Sequence, residues 1–209
     1  MKKSTDKLHL LEIAALLAVA VTLIWGIWSL QEQDALEKKM IRLHVLANSD
    51  EQYDQDLKLL VRDKVLAEAT TLLAESADMQ DARTRLENAL PQLEQTARQE
   101  IVAQGYDYTV SARLENTEFP LKEYDGFALP AGEYLALRVL IGDAEGQNWW
   151  CVVYPPLCTA AAADMEETAM SAGLGKGDLS LITEENTGYV LKFRSLELWE
   201  SLRQWMKKR

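Results

Sequence analysis

The run Leu8–Leu30 (LHLLEIAALLAVAVTLIWGIWSL) constrains this chain more than any other segment, because it decides on which side of a membrane the rest works. As a helix, its residues would cover roughly 34 Å, against about 30 Å of bilayer hydrocarbon. Glu12, near the N-terminal end, is its only charged residue, while Trp25 and Trp28 lie at the other end, as suits a membrane–water interface. Lys2, Lys3 and Lys7 precede the run, and Gln31, Glu32, Gln33 and Asp34 follow it. The positive-inside rule then keeps the N-terminus in the cytoplasm and places the chain beyond residue 31 outside. The expected organisation is a cytoplasmic stub and signal anchor (1–31), a linker (32–39) and one extracytoplasmic domain (40–209). A cleaved signal peptide is the rival reading; cutting after Ala18-Val19-Ala20 would leave the apolar tail Val21–Leu30 on a secreted chain.

Some 179 residues remain beyond the anchor, enough for one domain with a sizeable core. Lys2, Lys3 and Lys7 account for three of the 22 basic side chains, and Asp6 and Glu12 for two of the 33 acidic ones; the remainder carries 19 and 31, a formal charge of −12. Such a domain is repelled by nucleic acid and by anionic membrane surfaces, so neither is expected to bind it. Cys151 and Cys158, the only cysteines, fall in the exported part, where a disulfide persists. Closing that short loop would stabilise the fold by about 2–3 kcal/mol. Two small buried thiols are the alternative. Pro155-Pro156 inside the loop either sets its turn or holds its ends apart.

Local patterns predict an α+β domain, a mostly antiparallel sheet packed by two or three long helices. Met40–Ala47 (MIRLHVLA) alternates and reads as a strand, and Asn48-Ser49-Asp50 after it favours a turn or a helix N-cap. Leu57, Leu60, Val61, Val65, Ala69, Leu72 and Leu73 share one face of a helix of about 20 residues. Asp78 can cap a second helix with the stripe Met79, Ala82, Leu86, Ala89 and Leu90; Pro91 then predicts a kink or a fresh helix start. Leu93, Ala97 and Ile101 resume the stripe, and Gly105 is placed to end it. From Tyr106 the period becomes two. Pro130-Ala131-Gly132 reads as a turn into the strand Glu133–Ile141, which is apolar enough to lie centrally, with Asn148–Tyr154 as its hairpin partner. Residues 159–172 are expected to be helical and Gly173–Gly177 a flexible loop. Tyr189–Phe193 reads as a last strand, and Leu196, Trp199, Leu202 and Met206 as the stripe of a C-terminal helix.

Nothing in this pattern argues for catalysis. His44 is the domain's one histidine, so any Ser-His-Asp or Cys-His site would have to use it, and it lies mid-strand on the face of Arg42. One histidine and two cysteines fit no common zinc spacing, and no cofactor motif is present; Gly173-x-Gly175-x-Gly177 follows no strand. The tract Asn148–Cys158 (NWWCVVYPPLC) is different. Adjacent tryptophans on a strand point to opposite sheet faces, so a Trp beside a rigid Pro-Pro turn is either a binding anchor or a residue covered by a helix. Stacking on sugars is open to the same rings.

Two segments resemble the stage II sporulation protein R family of endospore-forming bacteria. One is Ile41–Asp50 (IRLHVLANSD) with Leu57–Asp63 (LKLLVRD); the other is Pro130-Ala131-Gly132-Glu133-Tyr134 through Asn148–Cys158. The resemblance implies a signalling protein and no enzyme. Members are made in the forespore and exported into the space between its two membranes. There they activate a membrane-embedded aspartic protease that processes the sigma-E precursor. No small-molecule substrate is implied. On that footing the partner-binding residues are expected in the strand–turn Trp149, Trp150, Tyr154, Pro155, Pro156 and Leu157, and secondarily in His44 with Asn48, Ser49 and Asp50. The alternatives are a membrane-tethered peptidoglycan-binding module or hydrolase, and a purely structural scaffold.

Overall fold

The computed structural model describes residues 2–124, 126–158 and 165–183, and it divides into two compact units, Met1–Leu36 and Glu37–Arg209. Helix α1 (Lys2–Glu37) contains a stretch, Ile13–Glu37, of mean hydropathy 2.3 whose apolar part is not buried inside the protein. Trp25 and Trp28 are exposed on it. A helix of a soluble core would hide such a surface, so this one is compatible with a single-pass anchor by length, composition and exposure.

The second unit runs β1 (Ile41–Leu46), α2 (Gln52–Leu73), α3 (Met79–Ala103), β2 (Val110–Phe119), β3 (Lys122–Tyr124), β4 (Phe127–Leu129), β5 (Gly132–Ile141), β6 (Asn148–Tyr154), α4 (Met165–Ser171) and α5 (Lys176–Ile182). It is α+β as expected, with a mixed sheet. The strand order is β2-β5-β1-β6; β1 is parallel to β5 and antiparallel to β6, and β2 is antiparallel to β5. The expected β5–β6 hairpin does not form, because β1 lies between the two strands.

Two causes are visible. Ile41, Leu43 and Val45 are fully buried, and a strand so apolar gains most from a central position. The linker after β5 is also longer than a tight hairpin turn, and β1's own end ties it down. Asn48 Oδ1 accepts from the Asp143 N–H (3.0 Å), the Glu145 N–H donates to the Asn48 carbonyl (3.2 Å), and the Gly146 N–H to that of Ala47 (3.0 Å). Crossing two strand spacings needs about 10 Å, which six residues supply easily.

Helices α2 and α3 pack on each other, with α2 against β1 and β6 and α3 against β2. The α2 stripe buries Leu57, Val61, Val65, Ala69 and Leu73, and the α3 stripe Ala82, Leu86, Ala89, Leu93, Ala97 and Ile101. Pro91 neither ends nor restarts α3, which is continuous across it. It sits on the exposed side, and the buried stripe continues unbroken on either side of it. Asp78 caps this helix by accepting from the Asp81 N–H (2.9 Å). Gly105 (φ +86°) ends it, the Gly105 N–H bonding to the Val102 carbonyl and the Tyr106 N–H to that of Ile101, in a Schellman arrangement. Strand β2 starts at Val110, after the alternation has begun. Of residues 159–172, α4 accounts for Met165–Ser171, and α5 begins inside the stretch read as a loop. The strand Tyr189–Phe193 and the C-terminal helix lie outside the described residues.

A Cβ on Gly146 would lie 2.2 Å from the Ser49 carbonyl oxygen, a backbone atom with little room to yield. Gly146→Ala is therefore expected to destabilise the fold by about 1–3 kcal/mol. Urea unfolding of the full chain in neutral detergent reads this, and an unchanged midpoint would break the link between this crossing and the fold.

Candidate functional site

Strand β1 sorts its side chains by face. Ile41, Leu43 and Val45 join the helix-side core, and Arg42 and His44 point to the opposite face. Arg42 is fully buried there. Its guanidinium lies 4.0 Å from the centre of the Phe119 ring and 4.9 Å from that of Tyr134, and its Nη2 donates to the Tyr124 hydroxyl (2.5 Å). Nε and Nη1 have no hydrogen-bond partner. Burial lowers the Arg42 pKa, and Tyr124 and Tyr134 work against that. A cation–π cage recovers about 2 kcal/mol of such a desolvation cost, and arginine retains its proton throughout.

His44 sits one position further, also buried, between Phe119 (ring centres 5.8 Å apart) and Trp150 (5.9 Å, nearly parallel). Its Nε2 meets Asn148 Oδ1 at 2.6 Å. An amide oxygen only accepts, so Nε2 holds the proton and the bare Nδ1 is buried without a partner. Burial pushes the imidazole pKa below 6.5; the Asn148 bond opposes this, and Arg138 and Arg42 reinforce it. Among the described residues, none of these neighbours is a nucleophile or a carboxylate. Among the described residues, no cluster of His, Cys, Asp or Glu is arranged to hold a metal ion.

The two tryptophans do occupy opposite faces. Trp149 turns toward α2, 38% exposed, with the Arg62 guanidinium 4.2 Å from its ring centre. Trp150, half-buried, stacks on His44 and carries Lys122 Nζ 5.1 Å from its ring centre. Between them runs a groove of about 420 Å³ lined by Trp149, Trp150, Arg62, Tyr124, Phe127 and Leu157, among others. The rest of the expected surface is built differently. Tyr154, Pro155 and Leu157 are buried, and burial raises the Tyr154 phenol, whose oxygen has no partner. Leu157 lines the groove, and Tyr154 belongs to the helix-side core. Cys151 and Cys158 are joined as a disulfide with Cα atoms 6.2 Å apart, within the usual span. Cys158 Sγ also accepts from the Val152 N–H (3.1 Å).

Asn48 and Ser49 do not line this surface with His44. Both donate to Asp54 Oδ2, at 2.9 and 2.6 Å. Burial would raise the Asp54 carboxyl, but the bonds from Ser49, Asn48 and Tyr108 hold it below the usual carboxylate range. The same contacts push the Tyr108 phenol up to about 12, burial first and Asp54 second. Asn48, Ser49 and Asp54 thus form a structural knot at the end of β1, and Asp50 is exposed beside it. Beyond the expected residues, the structure brings Arg42, Arg113, Arg138 and Lys122 to the face of Trp150, and stacks Tyr53, Tyr106 and Tyr108 at another surface. The period-two spacing of Arg42 and His44 was the one sequence signal for the basic face.

Comparison with known proteins agrees with the earlier resemblance. The family profile of stage II sporulation protein R matches residues 37–164. Stage II sporulation protein R of Bacillus subtilis (strain 168) is 39% identical over 118 residues, which is 56% of this chain. The match spans 53% of that relative, about half its length. No solved structure matches.

For the cysteines, alkylation of the full chain before reduction is expected to label neither thiol, and C151S/C158S to lower stability by about 2–3 kcal/mol; two labelled thiols would contradict the bond. For His44, the sign follows from its lowered pKa. Below pH 6.5 the unfolded chain takes up a proton that the native imidazole refuses. Stability is thus complete above the unfolded value and is lost as pH falls through 6.5 toward the native value. His44→Gln is expected to flatten that part of the melting-temperature profile, and the same slope in both proteins would refute it.

Proposed function

Because this chain belongs to the stage II sporulation protein R family and so has a role in sporulation, we propose that it is an exported signalling protein. In this reading its domain crosses the forespore membrane behind α1 and binds a membrane-embedded aspartic protease from the space between the two membranes. Binding favours the protease's active state, and the sigma-E precursor is processed. The anchor keeps the domain at the membrane where its receptor sits.

The observation that carries this reading is the pair Trp149–Trp150. Two large aromatic rings stand at the rim of the domain, one on each face of an edge strand, each beneath a cation and neither sealed in the core. Rigid aromatics flanked by Arg or Lys are the usual composition of interface hot spots. A peptidoglycan-binding module is the second reading, favoured by the Tyr53–Tyr106–Tyr108 stack, with Tyr53 half exposed.

The test is co-expression of the full chain with the family's protease and its precursor substrate in a non-sporulating host. Leu157→Ala is a poor probe, since truncating a buried leucine costs about 2–5 kcal/mol by itself. Trp149→Ala with Trp150→Ala is the sharper variant, expected to reduce processing about tenfold or more; Trp150→Ala also uncovers one side of His44, so a drop in melting temperature is expected and is measured alongside. Undiminished processing by a folded, membrane-inserted double variant would remove the aromatic pair from the mechanism.

A further inference from the structure

The strand register aligns a basic row across the sheet. Arg113 of β2 stands opposite Arg138 of β5, Arg138 beside His44 of β1, and His44 opposite Trp150 of β6. Lys122 approaches from β3 over the Trp150 ring. All of these lie on the face away from α2 and α3. Among the described residues, the strand positions on this face carry one carboxylate, Glu115, which pairs with Arg138 at 2.5 Å. Arg113 is exposed, and no ion pair involves it or Lys122 among the described residues.

Two features set the row apart from an incidental patch. The chain has a formal charge of −11, so cations grouped on one face leave that face opposite in sign to the rest of the molecule. Directly opposed arginines also work against strand pairing, and Arg42, one row deeper, is buried without a carboxylate. An exposed, unpaired arginine on that face suits recognition of negative charge.

We propose that Arg113, Arg138 and Trp150, held in one row by the buried His44, form with Lys122 a docking surface for an acidic segment of a partner protein, with Asp or Glu carboxylates against the arginines and an apolar or aromatic residue against Trp150. Planar guanidiniums suit bidentate carboxylate contacts. The inference rests on the reading of this domain as a partner-binding signal, but not on which protein the partner is.

The test places a photo-crosslinking amino acid at Ser111, which lies on the same face one row away from Arg113, in the full-length chain of the sporulating cell. Mass spectrometry then reads the sequence of the captured segment. A captured segment rich in Asp and Glu supports the surface, whichever protein carries it; whether that protein is the aspartic protease tests the proposed function separately. Arg113→Glu is expected to reduce the crosslink about tenfold and Arg113→Lys to retain it, with capture weakening as salt rises. Because Arg113 is exposed, the Glu variant is expected to fold, and its melting temperature checks that. The proposal is overturned by a neutral or basic captured segment, a second copy of this chain, a lipid adduct, no capture, or a folded Arg113→Glu protein that crosslinks normally.

Discussion

Strand β1 must satisfy two different environments at once, and the rest of the domain is arranged around that demand. On one side Ile41, Leu43 and Val45 belong to an apolar layer closed by α2 and α3; on the other, Arg42 and His44 need aromatic cover. A strand with a charge buried on one face and branched aliphatics on the other cannot tolerate a slip of one residue, which would exchange the two sets. Neighbours on both edges lock the register, β5 in parallel and β6 in antiparallel orientation. The central position of β1 and its mixed pairing therefore follow from one requirement.

The knot at the end of β1 serves the same purpose. Asp54, at the start of α2, draws Asn48 and Ser49 onto one carboxylate oxygen, while Asn48 passes the contact on to the β5–β6 connection through its side-chain oxygen and main-chain carbonyl. Lys58 extends it, bonding the Gln147 carbonyl just before β6. The place where β1 ends, the helix that follows it and the linker that crosses over it are thus one hydrogen-bonded unit. Such a buried network is costly when only partly satisfied, which accounts for glycine at 142 and 146, where a Cβ would strike Asn48 and Ser49.

Local patterns were legible and pairings were not. The α2 and α3 stripes, the Asp78 cap and the Gly105 terminus could be read because each depends on residues within one or two turns. The position of β1 depends on strands some ninety residues away, and the apparent β5–β6 hairpin was a short-range inference overruled by a long-range one. Pro91 misled for a related reason: proline's local penalty is real, but packing of the stripe on both sides of it outweighed the loss. In the site, Trp149 and Trp150 could be placed on opposite faces by alternation alone. Tyr154 and Leu157, from the same tract, are buried, and no local rule separates an aromatic that covers a core from one that faces a partner. The Arg42 cage was invisible because Phe119, Tyr124 and Tyr134 reach it only in three dimensions.

Edge strand β6 shows how fold and surface constrain each other. Its outer side is a liability, since free backbone groups invite pairing with another chain. The Val152 N–H points to that side and is met by Cys158 Sγ, so the loop that returns from Tyr154 covers the C-terminal half of the edge. By strand alternation the backbone groups of Trp150 and Asn148 share the outward side with Val152, and among the described residues no strand is hydrogen-bonded there. Among the described residues, the half of the edge without a covering partner is therefore the half that carries both tryptophans and the amide holding His44. Protection of the edge and exposure of the aromatic pair are set by where the loop closes, so moving Cys158 along the chain would alter both together.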